Sequence, residues 1–199
     1  MLRQQWLEHA LGDLRGYFHK HGHDVPDNVR VSIGWPHGTR GKKGGADTIG
    51  QCWASIASSD KHYEIFIAPS QRDGARIVDI LAHELIHVLA GHKAGHKGPF
   101  KQIAEAIGLT GAMTATIAGP AMVEFAKGVI AKRGAYPAGS LNHEKSGVKK
   151  QGTRLIKCEC DACGYIVRTT QKWIDDAGAP HCGIKAHGRM THEGTEGEE

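Results

Sequence analysis

The sequence predicts an α+β chain: a helical domain carrying a small three-stranded sheet, followed by a small cysteine-rich module. Three observations lead there. Three short β-rich runs lie between residues 29 and 69. Apolar residues recur at helical spacing before those runs and again after Pro69. Four of the five cysteines crowd into the last quarter of the chain.

Taken in order, residues 3–21 suit a helix. Trp6, Ala10, Leu14 and Phe18 recur every four residues, and Gly22 can end it. "NVRVSIGW" alternates Val29, Val31, Ile33 and Trp35, as a half-buried strand does. "IGQCWASIA" and "HYEIFIAP" supply two more strands, with Cys52 expected in the core. The basic, glycine-rich "HGTRGKKGGAD" between the first two reads as a mobile loop and lacks the Walker spacing. "GARIVDILAHELIHVLAG" then sets Ile77, Ile80, Leu81, Leu85, Val88 and Leu89 on one broad face, with Gly91 as the stop. Two further helices are expected to open at Pro99 and near Pro120, the second closing at Gly134. These boundaries give a first domain over 1–134, a basic flexible linker over 135–153, a compact module over 154–190 and an acidic disordered tail over 191–199.

The chain has 199 residues, 40% of them hydrophobic and 23% charged, the balance of a water-soluble globular protein. No run approaches the roughly 18 apolar residues that span a bilayer, so no membrane partner is expected. The amphipathic start, "MLRQQWLEHALGDLRGYF", does not resemble a secretory signal. Clustered cysteines without an export signal point to metal binding in a reducing cytoplasm, the nucleoid included, and not to disulfides. Charge is uneven. Residues 127–157 hold eight Lys or Arg and one acidic residue, while residues 158–199 hold four and eight. That basic middle suits a polyanion, although a solvated linker has the same composition.

His83 and His87 lie four residues apart inside "HELIHVLAGHKAGH". On a helix the spacing puts both imidazoles on one face, within reach of one ion. Glu84 stands beside them, placed to take a proton from a water on the metal. A catalytic zinc needs a third protein ligand. The pattern H-E-x-x-H-x-x-G-x-x-H fails, because Ala90 and Lys93 occupy the Gly and His positions. Glu105 sits in "IAEAIG", which reads as a packing helix. His92 directly follows Gly91 and would have to fold back sharply. His96 follows "KAG", a loop long enough to close the triangle, so His96 is favoured with His92 in reserve.

The stretch "HELIHVLAGHKAGHKGPFKQIAEAIGL" resembles the SprT-like metallopeptidase family, some of whose members are DNA-dependent proteases. There H-E-x-x-H is followed by a loop and then H-G-x-x-F or H-G-P-x-F. Here the last part stands as His96, Lys97, Gly98, Pro99, Phe100, with one residue inserted after the histidine and one missing before Phe100. The resemblance lies in residues 83–109 by motif and roughly 5–110 by architecture. It implies a zincin-like fold, a catalytic Zn²⁺ on His83, His87 and His96, Glu84 as catalytic base, and DNA-bound proteins as substrates.

Downstream, Cys160-x-x-Cys163 followed by Gly164 reads as a zinc knuckle, with Cys182 as a third thiolate. The fourth ligand is His187, His181 or Cys158. His187 is favoured, five residues past Cys182, and Cys158 competes from the strand entering the knuckle. Such a site would be structural and closed, bringing the expected zinc to one catalytic and one structural ion. The SprT-like family often carries a zinc ribbon here, and "CGYIVRTTQKW" resembles it. Arg168, Lys172 and Trp173, with Lys149, Lys150 and Arg154 before them, are candidate nucleic-acid contacts: cations to pair phosphates and an aromatic to stack a base. Trp173 and Tyr165 could equally pack a small core.

Two functions from different classes follow. One is a zinc metallopeptidase acting on nucleic-acid-associated proteins. The other is a non-catalytic nucleic-acid-binding or transcription-associated protein, in which the helical domain is a scaffold. Glu84 argues for the first, since a structural zinc has no use for that carboxylate.

Overall fold

The computed structural model describes residues 1–36, 48–142, 145 and 155–192. It is α+β, with five α-helices among the described residues. The chain divides into two compact units, Met1–His143 and Glu144–Glu199. The expected mobile loop at 37–47, most of the expected linker and residues 193–199 of the expected tail lie outside the described residues. Thr191 and His192, expected to open that disordered tail, instead pair as a strand with Cys158 and Glu159. Among those described, no helix is long and apolar enough to cross a membrane.

In the first unit, helix α1 (Arg3–Lys20) buries Trp6, Leu7, Ala10, Leu11, Leu14 and Phe18. This is the four-residue stripe read from the sequence, widened by its neighbours. Burying a large apolar side chain contributes about 1.5–3 kcal/mol, so the stripe anchors α1 firmly. Strands β1 (Val29–Ile33), β2 (Gly50–Trp53) and β3 (Tyr63–Ile67) form one sheet in the order β1-β3-β2. β3 runs parallel to β1 and antiparallel to β2, which leaves β2 at an edge.

Helix α2 (Gly74–Ala90) follows β3. Asp73 caps its start by accepting the Arg76 backbone N–H at 3.0 Å. Gly91 ends it. Besides the predicted face, Val78, Ala82 and Ile86 are buried, so α2 is the central element, packed against α1, the sheet and the two helices that follow it in the first unit. Helix α3 (Pro99–Ala106) and helix α4 (Pro120–Arg133) each carry proline in the first turn. Between them lies a hairpin that sequence reading missed, β4 (Leu109–Ala112) and β5 (Ala115–Ala118). Cys52 is buried in the core, as expected of a strand residue.

One correction concerns the expected linker. Tyr136 falls inside it, yet is buried and meets the Trp6 ring edge-on at 5.3 Å. The Trp6 indole N–H donates to the Gly134 carbonyl at 2.9 Å. The chain just beyond α4 is therefore held by the core, because an indole buried in α1 needs an acceptor and an apolar neighbour.

The second unit is an antiparallel sheet in the order β7-β6-β8 (Ile166–Thr169, Ile156–Glu159, Thr191–His192), with helix α5 (Gln171–Ala177) after β7. Cys158, Cys160, Cys182 and Met190 form its small buried cluster, with Ile156, Val167 and Ile174 against it.

Candidate metal centres

Helix α2 carries His83 and His87 one turn apart, with ring centroids 5.2 Å from each other. After Gly91 the chain makes a short 3-10 turn over His92–Ala94. Gly95 (φ +55°) and Gly98 (φ +49°) then bracket His96. Both take left-handed backbone that a side chain would resist, and between them they reverse the chain. The reversal carries His96 back over α2. Its Nε2 lies 3.3 Å from that of His83, and its ring centroid lies 4.8 Å from that of His87. The three donor atoms all fall within 4.8 Å of one another.

His92 is engaged elsewhere. Its Nε2 donates to the Cys52 carbonyl at 2.8 Å, tying the loop to the edge strand β2. Glu105 lies on the exposed side of α3 and pairs with Lys101. The structure thus puts His96, not His92 or Glu105, into one donor set with His83 and His87, although the His92 ring stacks beside that of His87 at 6.1 Å between centroids.

Phe100, fully buried, lies under the triad with centroids 4.9, 4.7 and 4.9 Å from His83, His87 and His96. Burial holds the rings neutral. It lowers the His83 imidazolium to about 3 and that of His87 to about 4, with neighbouring imidazoles adding to the effect. Burial lowers His96 as well. A neutral imidazole is the metal-binding form.

Glu84 is only 6% exposed and lines the same cavity, of about 790 Å³, together with the three histidines, Gly50–Cys52 and Thr114–Thr116. Burial pushes its carboxyl up to about 8, opposed by a hydrogen bond from the Cys52 backbone N–H. β2 passes so close that a Cβ on Gly50 would sit 2.5 Å from Glu84 Oε1 and 2.6 Å from Ile80 Cγ2. Sequence reading missed Gly50, Arg76, Asp79 and Thr116, all of which bear on this site. Thr116 Oγ1 lies 2.8 Å from His83 Nδ1.

In the second unit, Cys160, Cys163, Cys182 and His187 bring four donor atoms within 4.8 Å of one another. Cys160 Sγ is 3.6 Å from His187 Nδ1, Cys182 Sγ is 3.7 Å from the same nitrogen, and Cys163 Sγ is 3.7 Å from Cys182 Sγ. Gly164 (φ +71°) turns the knuckle, and its N–H donates to the Cys160 carbonyl at 2.7 Å. Burial opposes ionisation of Cys160, yet backbone N–H groups of Cys163 and Ala162 and the adjacent thiols bring it down to about 7. Cys158 stays on β6 within the apolar cluster, and His181 is exposed in a bridge with Arg189; neither belongs to the four-donor set.

Both donor sets suit a metal such as zinc: three neutral imidazoles beside a carboxylate, and three thiols with one imidazole. Of the candidate nucleic-acid contacts, Arg168, Lys172 and Trp173 are exposed, and Lys172 Nζ stands 5.4 Å from the Trp173 ring centroid. Trp173 is 56% exposed and Tyr165 55%, so neither builds the small core. Lys149, Lys150 and Arg154 lie outside the described residues. Comparisons with family models, with curated proteins and with solved structures return no match.

Proposed function

We propose that the chain is a zinc-dependent metallopeptidase of the SprT-like kind, with a zincin-like first unit and a zinc ribbon as its second. The observation that carries this reading is one cavity lined by three convergent neutral imidazoles and a buried carboxylate. A purely structural site is closed by four side chains; here the described donors number three and open onto a cavity.

His83, His87 and His96 would hold a zinc ion, which would supply Lewis acidity for a peptide carbonyl and for a water near neutral pH. Glu84 accepts that water's proton at its carboxylate as the water oxygen bonds to the carbonyl carbon. It then delivers the proton to the amine nitrogen as the C–N bond breaks. Burial strengthens the hold of Glu84 on a proton between those steps, and a cation held by the three histidines would weaken it. Phe100 keeps water from behind the rings, and the Cys52 N–H fixes the carboxylate against β2. Three thiolates and His187 would hold the second, structural zinc.

Nucleic-acid-associated proteins are the proposed substrates. The support is the exposed Arg168, Lys172, Tyr165 and Trp173 on the second unit and the basic segment 127–157. DNA is the proposed partner, and the cytoplasm, nucleoid included, the proposed location.

The test compares wild type with Glu84→Gln on a panel of DNA-binding proteins, with and without DNA. Zinc content should be equal in the two. Cleavage should fall by roughly 10²- to 10⁴-fold in the variant. Wild type that binds zinc yet cuts no protein in any DNA condition would favour the non-catalytic binding function instead.

A further inference from the structure

The β4–β5 hairpin places a short chain of polar groups against the outer side of the His83 ring. Thr116 is the one residue of β5 that is buried, at 4% exposure, and its Oγ1 lies 2.8 Å from His83 Nδ1. Its strand is gripped just beyond that hydroxyl. Arg76 Nη1 donates to the Thr116 carbonyl at 3.1 Å. Asp79, 5% exposed, accepts the Ala118 backbone N–H at 3.2 Å. The two clamping side chains also hold each other, Arg76 Nη1 donating to both Asp79 oxygens at 2.8 and 2.9 Å. Both sit on the first half of α2, one and two turns before His83.

An imidazole has two tautomers, and the bond made by one nitrogen decides what the other offers. With Nδ1–H donating to a fixed hydroxyl oxygen, His83 Nε2 keeps its lone pair and turns it toward His87 and His96. With the opposite tautomer, a hydrogen would stand on Nε2, where a ligand atom is needed. Resting on the metallopeptidase reading, we propose that Thr116 is a positioning residue that selects the Nδ1–H tautomer of His83. Arg76 and Asp79 hold it there through the backbone of β5. Outer hydrogen bonds of this type fix the orientation of a ligating histidine and raise its basicity.

The test uses the full chain labelled with ¹⁵N. In the metal-free protein, imidazole ¹⁵N–¹H correlation spectra should show His83 as the Nδ1–H form. Thr116→Val, close in shape but lacking the hydroxyl, should shift His83 toward the Nε2–H form. It should also weaken zinc binding, followed at the His83 and His87 ring signals in competition with a chelator, by roughly 10- to 100-fold. Thr116→Ser should restore both. Asp79→Asn should move both readouts in the same direction as Thr116→Val, by loosening the strand and not the hydroxyl. Amide spectra of each variant establish that the hairpin still forms. A wild-type His83 in the Nε2–H form, or a folded Thr116→Val variant with unchanged zinc affinity, overturns the proposal. Because the tautomer is read without metal, that outcome is separate from failure of the metallopeptidase reading, which shows as zinc-loaded wild type without cleavage.

Discussion

The Nε2 atoms of His83 and His96 stand 3.3 Å apart, although the two lie thirteen positions apart in sequence. Two neutral imidazoles brought to that distance inside a cavity present their nitrogens to a common point. His92, nearer in sequence, instead gives its Nε2 to the Cys52 carbonyl. Native protein should therefore carry about two zinc ions per chain, one per donor set. His96→Ala should lose one of them, while His92→Ala keeps both. Elemental analysis of the purified variants checks this, and equal zinc in wild type and His96→Ala would refute the triad.

Gly50 permits the approach of β2 to Glu84. A methyl group there would press within 2.5 Å of the carboxylate and 2.6 Å of Ile80. Overpacking of this kind costs about 1–3 kcal/mol. Gly50→Ala should lower the melting temperature and cut peptidase activity while leaving zinc content intact, because the three imidazoles do not touch Gly50 among its nearest neighbours. Loss of zinc together with activity would show that the strand supports the triad and not the carboxylate.

In the second unit the ligand set separates His187 from Cys158. Cys160→Ser, Cys182→Ser and His187→Ala should each reduce zinc by one ion per chain and disorder residues 155–192, since a small metal-bound fold takes its stability from the ion. Cys158→Ala should keep the ion and lose only packing from the buried cluster. Amide spectra of the unit, with and without chelator, distinguish the two results.

Asp13 joins α1 to α4 through Arg133 at 2.9 and 3.0 Å and Lys132 at 2.7 Å. The Arg133 hydrogen bond leads in holding its carboxyl below the ordinary 3.8, against opposing burial. A depressed carboxyl contributes stability above its unfolded pKa and loses it as pH falls through the folded value. Asp13→Asn should thus destabilise at pH 7 by about 1 kcal/mol, the scale of a pair still partly screened by water. The difference from wild type should shrink as pH drops below about 3.8. Urea unfolding at several pH values measures it, and a difference independent of pH would exclude the ion pair as its source.

Much of the candidate site was legible because it is local. The four-residue spacing of His83 and His87, the apolar stripe of α2 and the glycine stops all act within a few turns of chain. The hairpin escaped notice for a physical reason. Its strands, "LTGA" and "ATIA", are small and weakly alternating, and its tight turn at Met113–Thr114 lacks the Asn-Gly or Asp-Gly signal of a two-residue loop. Tyr136 was misplaced because its polar, glycine-rich neighbours hid a single aromatic ring that Trp6 captures.

Sequence alone determined the four helices of the first unit, its first three strands, the two histidines of α2 with their glutamate, and the knuckle cysteines, since periodicity and short spacings set these. Only tertiary structure decided between His96 and His92, chose His187 over Cys158 for the candidate donor sets, and brought Gly50 and Thr116 to the first of them. Those choices turn on where the chain reverses and which backbone groups already occupy a side chain. They arise from contacts between residues distant in sequence, which no local pattern encodes.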